Sequence, residues 1–192
     1  MQFERGFKSW SERVALAFRK DLSLRPDSPL TPTQLAEHLG VRVCTPNDII
    51  GIPAEVLHQL LNVDPWGWSA VSIFETEFSL IIFNPRHSVG RRASDVMHEL
   101  AHLVLDHKPA SVIVSQDGSM VLRSYNARQE DEANWLAGCL LLPRDALLRC
   151  KHLKLPVVEV AHKYGVSEKL AVFRMRITGV DRQWEAATRQ RG

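Results

Sequence analysis

The segment His98-Glu99-Leu100-Ala101-His102 constrains this chain more than any other five residues. Two histidines four positions apart lie on the same face of an α-helix, so both imidazoles can reach one metal ion. Glu99 follows the first histidine and lies close enough to act as a general base beside that ion. With eight histidines in 192 residues, chance would produce this pattern roughly 0.02 times. The motif therefore predicts a helix that contributes two ligands to a metal site.

The flanking residues favour a buried helix around this motif. Apolar side chains surround the two histidines, and neither proline nor glycine interrupts residues 91–107. A helix with such a broad apolar surface lies in the core of a protein, where both histidines need polar partners. Two core histidines that have ordinary hydrogen-bond partners are the alternative interpretation.

A third ligand is expected from another helix, and residues 130–143 are the best source. This segment begins with acidic residues and then becomes apolar, which is typical of a helix whose first turn approaches a cation. Glu130 and Asn134 share one face, whereas Glu132 lies about 200° away from Glu130. We therefore predict Glu130 as the ligand and Asn134 as an outer residue that orients a ligand histidine. Glu132 is expected to be a solvated or N-terminal helix charge, which is also the alternative for Glu130.

These two motifs carry a resemblance to a known family. His-Glu-Leu-Ala-His, followed about 28 residues later by Glu-x-Glu-Ala-Asn-x-x-Ala-x-x-Leu-Leu-x-Pro, is similar to the ImmA/IrrE family of zinc metallopeptidases. The resemblance covers roughly residues 25 to 180. Three shorter stretches follow the same order, namely Trp68-Ser69-Ala70, Ile81–Pro85 and Arg91-Arg92.

The resemblance implies a site and an activity. It implies one zinc ion held by His98, His102 and Glu130 in a compact zincin-like domain, with Glu99 as the base. Members act in bacteria and their phages, often by cleaving a helix-turn-helix repressor or antitoxin, and so in transcription regulation and stress response. The expected reaction is metal-assisted hydrolysis of a peptide bond, in which Glu99 takes a proton from water and passes it to the leaving amine.

A different class of function remains open. The chain is alternatively a regulatory DNA- or protein-binding module with a vestigial or structural metal site. Glu99 separates the two hypotheses, because a purely structural site has no use for a base. Zinc is favoured over other divalent metals at this site, since two imidazoles and one carboxylate suit that ion.

Composition predicts an ordinary globular protein. The chain is 45% hydrophobic and 24% charged, which is typical of a soluble domain, and 192 residues are enough to bury a core. Cys44, Cys139 and Cys150 are far apart, without CxxC spacing, and are expected to be free thiols. No apolar stretch approaches the ~20 residues that span a bilayer, and no hydrophobic signal region follows Met1. We therefore expect a cytoplasmic protein without a membrane partner.

The predicted fold class is α+β. We expect a mostly helical zincin-like domain with a small antiparallel sheet and a C-terminal helix-turn-helix-like helical pair. The expected divisions are an N-terminal helix and linker (1–30), a metallopeptidase core (31–155) and a helical pair with a basic tail (156–192), packed together as a single domain. The patterns predict helices at 7–21, 32–39, 53–61, 91–107, 130–142, after Pro143, and at 157–164 and 168–177, and strands at 41–44, 70–74, 79–83, 111–115 and 120–123.

The strands offer a place for a substrate. An exposed edge strand beside a metal cleft can bind an extended peptide by main-chain pairing. We assign this role to the strand within residues 79–84. An ordinary packed hairpin is the alternative.

The C-terminal part is basic. Residues 144–192 contain 11 Lys and Arg against five Asp and Glu, whereas the remainder of the chain has an excess of four acidic residues. Such a helical pair can contact DNA or an acidic partner. We predict contacts with a helix-turn-helix regulator rather than with DNA, made by Arg174, Arg176 and Arg182.

Some other polar residues near the motifs have less specific roles. His107 is expected to cap the end of the motif helix rather than bind metal. Tyr125, Arg91 and Arg92 are candidates for stabilising an oxyanion, and the sequence does not choose among them.

Overall fold

The computed structural model describes residues 3–74, 78–107 and 126–182, together with the backbone of two short strands between 108 and 125. The helices are α1 Phe7–Asp21, α2 Pro32–His38, α3 Ala54–His58, α4 Val89–Val104, α5 Ala127–Leu141, α6 Arg144–His152, α7 Val157–Tyr164 and α8 Glu168–Thr178, with a short 3-10 helix at Pro46–Asp48 and a π-helical turn at Gln59–Val63. The strands are β1 Arg42–Cys44, β2 Ala70–Phe74, β3 Ser79–Phe83, β4 Val112–Val114 and β5 Met120–Leu122. The predicted α+β fold class is confirmed, while the two predicted hairpin turns lie mostly outside the described residues. Within the described part of the chain, no helix is both long and apolar enough to cross a bilayer.

Local sequence signals explain where several helices begin and end. Thr31 and Gln34 form a capping box around Pro32 at the start of α2, as their spacing predicts. Ser167 caps α8 by accepting a hydrogen bond from the backbone of Leu170. Gly165 has a φ of 63° between α7 and α8, a left-handed conformation that glycine adopts at low cost. The predicted helix-turn-helix-like pair is therefore present.

The three-stranded sheet is mixed rather than antiparallel as predicted, and β3 is its central strand. β3 pairs with β1 in parallel and with β2 in antiparallel register. The prediction that the strand within 79–84 offers a free edge is therefore wrong, because both of its edges are already hydrogen-bonded. Among the described strands, β1 and β2 lie at the two ends of this sheet, and β2 is the edge strand that packs on the motif helix α4. β4 and β5 form a separate antiparallel pair.

The core is centred on the packing of α4 against α5. Side chains from both helices are completely buried there, and α1 packs on the other side of α5. The helical pair also contacts α4 directly. A β-carbon at Gly90 would lie 2.8 Å from the backbone nitrogen of Ser167, so the turn between α7 and α8 needs glycine in the first turn of α4. The buried α4 and α5 residues include Val96, Met97, Leu100, Ala101, Ala133, Leu136 and Leu140.

Two buried arginines satisfy the carbonyl groups at the C-terminal end of α5. Arg19 of α1 donates to the carbonyl of Leu140 at 2.8 Å, and Arg174 of α8 donates to that of Leu142 at 3.0 Å. The last carbonyls of a helix have no partners within the helix, and positive charge is favourable near them. Burial lowers the pKa of Arg19 to about 10. Arg19 therefore links α5 to α1, and Arg174 links the end of α5 to α8.

The burial of Arg174 contradicts one prediction. Arg174 is only 1% exposed, and its other donor binds Glu12 of α1 at 2.6 Å. It therefore lies in the core rather than on a docking surface, unlike Arg176 and Arg182, which are exposed.

The three cysteines are free, as predicted, and all are buried. Burial raises the pKa of the Cys139 thiol to about 12. A protonated, enclosed thiol is a poor nucleophile, so this cysteine is expected to serve as a core residue.

Candidate metal centre

Three ligand atoms from α4 and α5 converge on one point. The Nε2 atoms of His98 and His102 are 3.0 Å apart. The carboxylate of Glu130 lies 3.1 Å from Nε2 of His98 and 3.4 Å from Nε2 of His102. Ligand atoms in a tetrahedral zinc site with bonds of about 2.05 Å are about 3.3 Å apart. The structure thus brings the three predicted ligands together at the spacing that one ion requires.

The chemistry of these donors also fits a metal ion. Burial lowers the pKa of His102 to about 4, so this imidazole is neutral near pH 7. A neutral imidazole has the free nitrogen lone pair that a metal ligand needs. Two imidazoles and one carboxylate form a donor set that suits zinc.

Each ligand is positioned by its own helix. His98 and His102 lie one turn apart on α4, so their rings project from the same face. Asn126 caps α5 by accepting hydrogen bonds from the backbone of Arg128 and Gln129. This cap starts the helix at Ala127 and so places the carboxylate of Glu130 in the first turn. The close packing of α4 on α5 then brings Glu130 to the two histidines.

Glu99 lies beside the ligands and faces a cleft. A cavity of about 360 Å³ is lined by residues of β2, α4 and α5, among them Ala70, Glu99 and Asn134. Burial raises the pKa of Glu99, although a hydrogen bond from Ser72 opposes the shift. The arrangement thus places one carboxylate among the ligands and a second one at the wall of the adjoining cavity.

Ser72 was not predicted as a site residue. Its hydroxyl donates a hydrogen bond to Oε2 of Glu99. Its position in β2 pairs with Ile81 of β3, which is fully buried, so Ser72 shares the sheet face that packs on α4. Alternation along 70–74 predicts the strand but does not reveal which of its faces meets α4.

The outer residues around the ligands differ from those predicted. Asn134 is exposed and lines the cavity, and among the described residues its side chain makes no hydrogen bond to a ligand histidine. Glu132 is buried rather than solvated, which contradicts the prediction. Its carboxylate lies 3.3 Å from Nε2 of His107 and 2.9 Å from Nε of Arg128. His107 in turn contacts the ring of His102.

The oxyanion candidates lie at different places. Arg91 donates to the hydroxyl of Ser69 at 3.1 Å and lies 3.8 Å from Asp95, so its guanidinium is at the rim of the cavity. Arg92 is half-buried. Tyr125 lies outside the described residues. Arg91 is therefore the candidate that the structure places nearest to the cleft.

Replacing Ser72 by alanine should slow the peptide hydrolysis proposed below without releasing metal. The hydroxyl touches Glu99 and none of the three ligands, so its loss frees the carboxylate alone. We expect kcat to fall about 5- to 10-fold, as is typical for the loss of one hydrogen bond, with unchanged KM and metal affinity. Ser79→Ala, in the neighbouring strand, is the matched control. A Ser72→Ala variant with wild-type kcat would show that Ser72 does not position Glu99.

The fold and this site together define a metallopeptidase-type domain: an α+β architecture with a His-His-Glu cluster and a carboxylate beside it. The chain belongs to the peptidase family of IrrE N-terminal-like domains, whose family model matches residues 36–176. The resemblance drawn from the two motifs is thereby confirmed, and the match continues beyond residue 155 into the helical pair.

A solved structure shares the fold. A Mycobacterium tuberculosis transcriptional regulator matches 87% of this chain with 17% sequence identity and a TM-score of 0.55. This chain corresponds to 46% of that protein's length, so it spans less than half of it. The search of curated proteins found no match.

Proposed function

We propose that this chain is a zinc-dependent endopeptidase that cleaves a helix-turn-helix repressor or antitoxin. The observation that carries the proposal is the convergence of His98, His102 and Glu130 beside a cavity whose wall includes Glu99. A structural zinc site is normally closed by four protein ligands, whereas a catalytic one has three and an open position. Among the described residues the cluster has three ligands and adjoins a cleft, which supports the catalytic case.

The residues around the cleft have distinct roles in the proposed reaction. Zinc, when bound, would polarise the peptide carbonyl and lower the pKa of water. Glu99 accepts the proton of the attacking water and returns it to the leaving amine. Ser72 holds the carboxylate of Glu99 in place through its hydrogen bond. His98, His102 and Glu130 keep their donor atoms pointed at a single position.

Strand β2 is the proposed binding site for the substrate backbone. Ala70 is the first residue of β2 and lines the cavity together with Ser69. Within the described part of the chain, β2 pairs only with β3, so its other edge is open to a peptide. An extended peptide that added to this edge would pass the cavity close to Glu99. This assignment replaces the strand at 79–84.

The proposed substrate is a regulator of transcription. The family resemblance points to such proteins, and the Mycobacterium tuberculosis protein of similar fold is itself called a transcriptional regulator. Exposed Arg176 and Arg182 remain available to dock an acidic regulator. We place the reaction in the cytoplasm, where such regulators bind DNA.

Direct DNA binding by the helical pair has weaker support. α8 would be the recognition helix, yet Arg174 fastens it to the core, and the exposed residues of its first turn include Glu168 as well as Lys169. A carboxylate there opposes a phosphate backbone. Zinc-dependent peptide hydrolysis, rather than DNA binding, therefore remains the proposed function.

A cleavage assay tests the proposal. The neighbouring reading frames are first searched for a helix-turn-helix protein. The purified chain is then incubated with such a protein, and the products are identified by mass spectrometry. We expect one defined cleavage that a chelator stops and added zinc restores. Retention of zinc without cleavage, combined with tight and strongly salt-dependent binding to duplex DNA, would instead support the regulatory module.

A further inference from the structure

We propose that His107 and Glu132 fix the tautomer of His102 and so hold its Nε2 lone pair toward the metal. The proposal rests on the metal site of the proposed function but not on peptidase activity. Ligand histidines commonly donate their second ring nitrogen to an outer partner that sets the tautomer. In this chain that partner is another histidine, backed by a buried carboxylate.

The contacts form a continuous series of hydrogen bonds that leads away from the metal site. Nδ1 of His102 lies 2.9 Å from Nδ1 of His107. Nε2 of His107 lies 3.3 Å from Oε2 of Glu132. Oε1 of the same carboxylate accepts a hydrogen bond of 2.9 Å from Nε of Arg128. Which atom donates in the two contacts between ring nitrogens and their partners depends on where the histidine protons lie.

The carboxylate of Glu132, in this series of contacts, determines the direction of each hydrogen bond. Ionised Glu132 can only accept, so Nε2 of His107 must carry a proton and donate it. When His107 carries this single N–H, its Nδ1 accepts, and Nδ1 of His102 is then the donor. A neutral imidazole has one N–H, which leaves the Nε2 of His102 with a free lone pair. That nitrogen is the one that faces His98 and Glu130.

The fold places His107 for this role. Asp106 has a φ of 52°, and the backbone N–H of His107 donates to the carbonyl of His102 at 3.0 Å. This is the hydrogen-bond pattern of a helix end closed by a left-handed residue. It turns the chain back on itself immediately after α4 and brings the ring of His107 against that of His102.

Burial makes the contacts well defined. The side chains of His107 and Glu132 are only 7% and 12% exposed, so water competes little for these hydrogen bonds. Arg128 is about half exposed and pairs with Glu4 as well. His107 and Glu132 are therefore the essential members, and Arg128 contributes less.

The two ligand histidines are held differently. Nδ1 of His98 is buried and has no hydrogen-bond partner among the described residues. The hydrogen bonds through His107 and Glu132, here called the relay, therefore act on His102 alone. Loss of the relay should change the state of one ring and leave the other unchanged, which gives the test an internal reference.

Imidazole nitrogen-15 NMR of the metal-free protein tests the tautomer directly. We expect the ring of His102 to carry its proton on Nδ1 in the wild type and to become a mixture of tautomers in His107→Leu. His107→Asn should restore the wild-type signal, because its side-chain oxygen can accept from Nδ1 of His102. His162→Leu, on the exposed face of α7, is the matched control.

Zinc binding gives a second measurement. Competition with a chelator should show that His107→Leu and Glu132→Gln each lower zinc affinity about 10- to 100-fold, the usual cost of losing an outer partner, whereas His107→Asn stays close to wild type. Melting temperatures of the metal-free variants identify any that fail to fold. A His102 ring that keeps its Nδ1 proton in His107→Leu would overturn the proposal. Since neither measurement requires cleavage, the result is independent of whether the chain is a peptidase.

Discussion

Glu99→Gln is expected to abolish peptide cleavage while the metal stays bound. The amide has the shape of the carboxylate and can still accept the hydrogen bond from Ser72, but it cannot take a proton near pH 7. Since a general base typically contributes 10²- to 10⁴-fold, we expect kcat to fall by about 10² or more. Zinc content and melting temperature should stay close to wild type, because Glu99 is not among the three ligands.

The measurement compares cleavage rates at equal zinc occupancy. Glu55→Gln, which changes an exposed glutamate of α3, controls for the loss of one negative charge. Cleavage by Glu99→Gln at close to the wild-type rate would rule out Glu99 as the base. In that case the proposed mechanism fails even if zinc is present at His98, His102 and Glu130.

Helical periodicity and ligand spacing made the centre of this protein predictable. The positions of His98 and His102 depend only on α-helical geometry, and the phase of α5 separates Glu130 from Glu132 in the same way. Capping signals such as Thr31 with Gln34 likewise define helix ends locally. These features need no knowledge of which elements pack together.

Features that depend on packing were not predictable. Strand alternation identifies β2 and β3 but contains no information on whether β1 pairs with one or the other, so the free edge was assigned to the wrong strand. Glu132 and Arg174 look like surface charges in the sequence. The sequence does not show that the fold places Glu132 next to His107 and Arg174 next to Glu12. A buried charge is costly unless it has such partners, and only the fold brings them together.

The two ends of α5 are held by different kinds of interaction. At its N-terminal end, Glu130 contacts His102 in the metal cluster. Glu132, in the same part of the helix, contacts His107. At its C-terminal end, Arg19 and Arg174 take up the last carbonyls. α5 is therefore fixed along its length against α1, α4 and α8, which is what a helix that carries a metal ligand requires.

Arg174→Met should be the most destabilising single substitution of a charged residue on α8. The change removes the partner of Glu12 and leaves the buried carbonyl of Leu142 without its donor. Breaking a buried ion pair by removing one member typically costs 3–5 kcal/mol, so we expect the free energy of unfolding to fall by about that amount. Urea denaturation followed by circular dichroism measures it.

Arg176→Met is the matched control for this substitution. Arg176 lies two residues further along the same helix but is exposed, and surface changes of this kind stay within about 0.5 kcal/mol. Glu130 is in the first turn of α5, whereas Arg174 acts on the opposite end of that helix. The folded fraction of Arg174→Met should therefore bind zinc with wild-type affinity. Equal unfolding free energies for the two variants would show that Arg174 does not fasten α8 and α5 together.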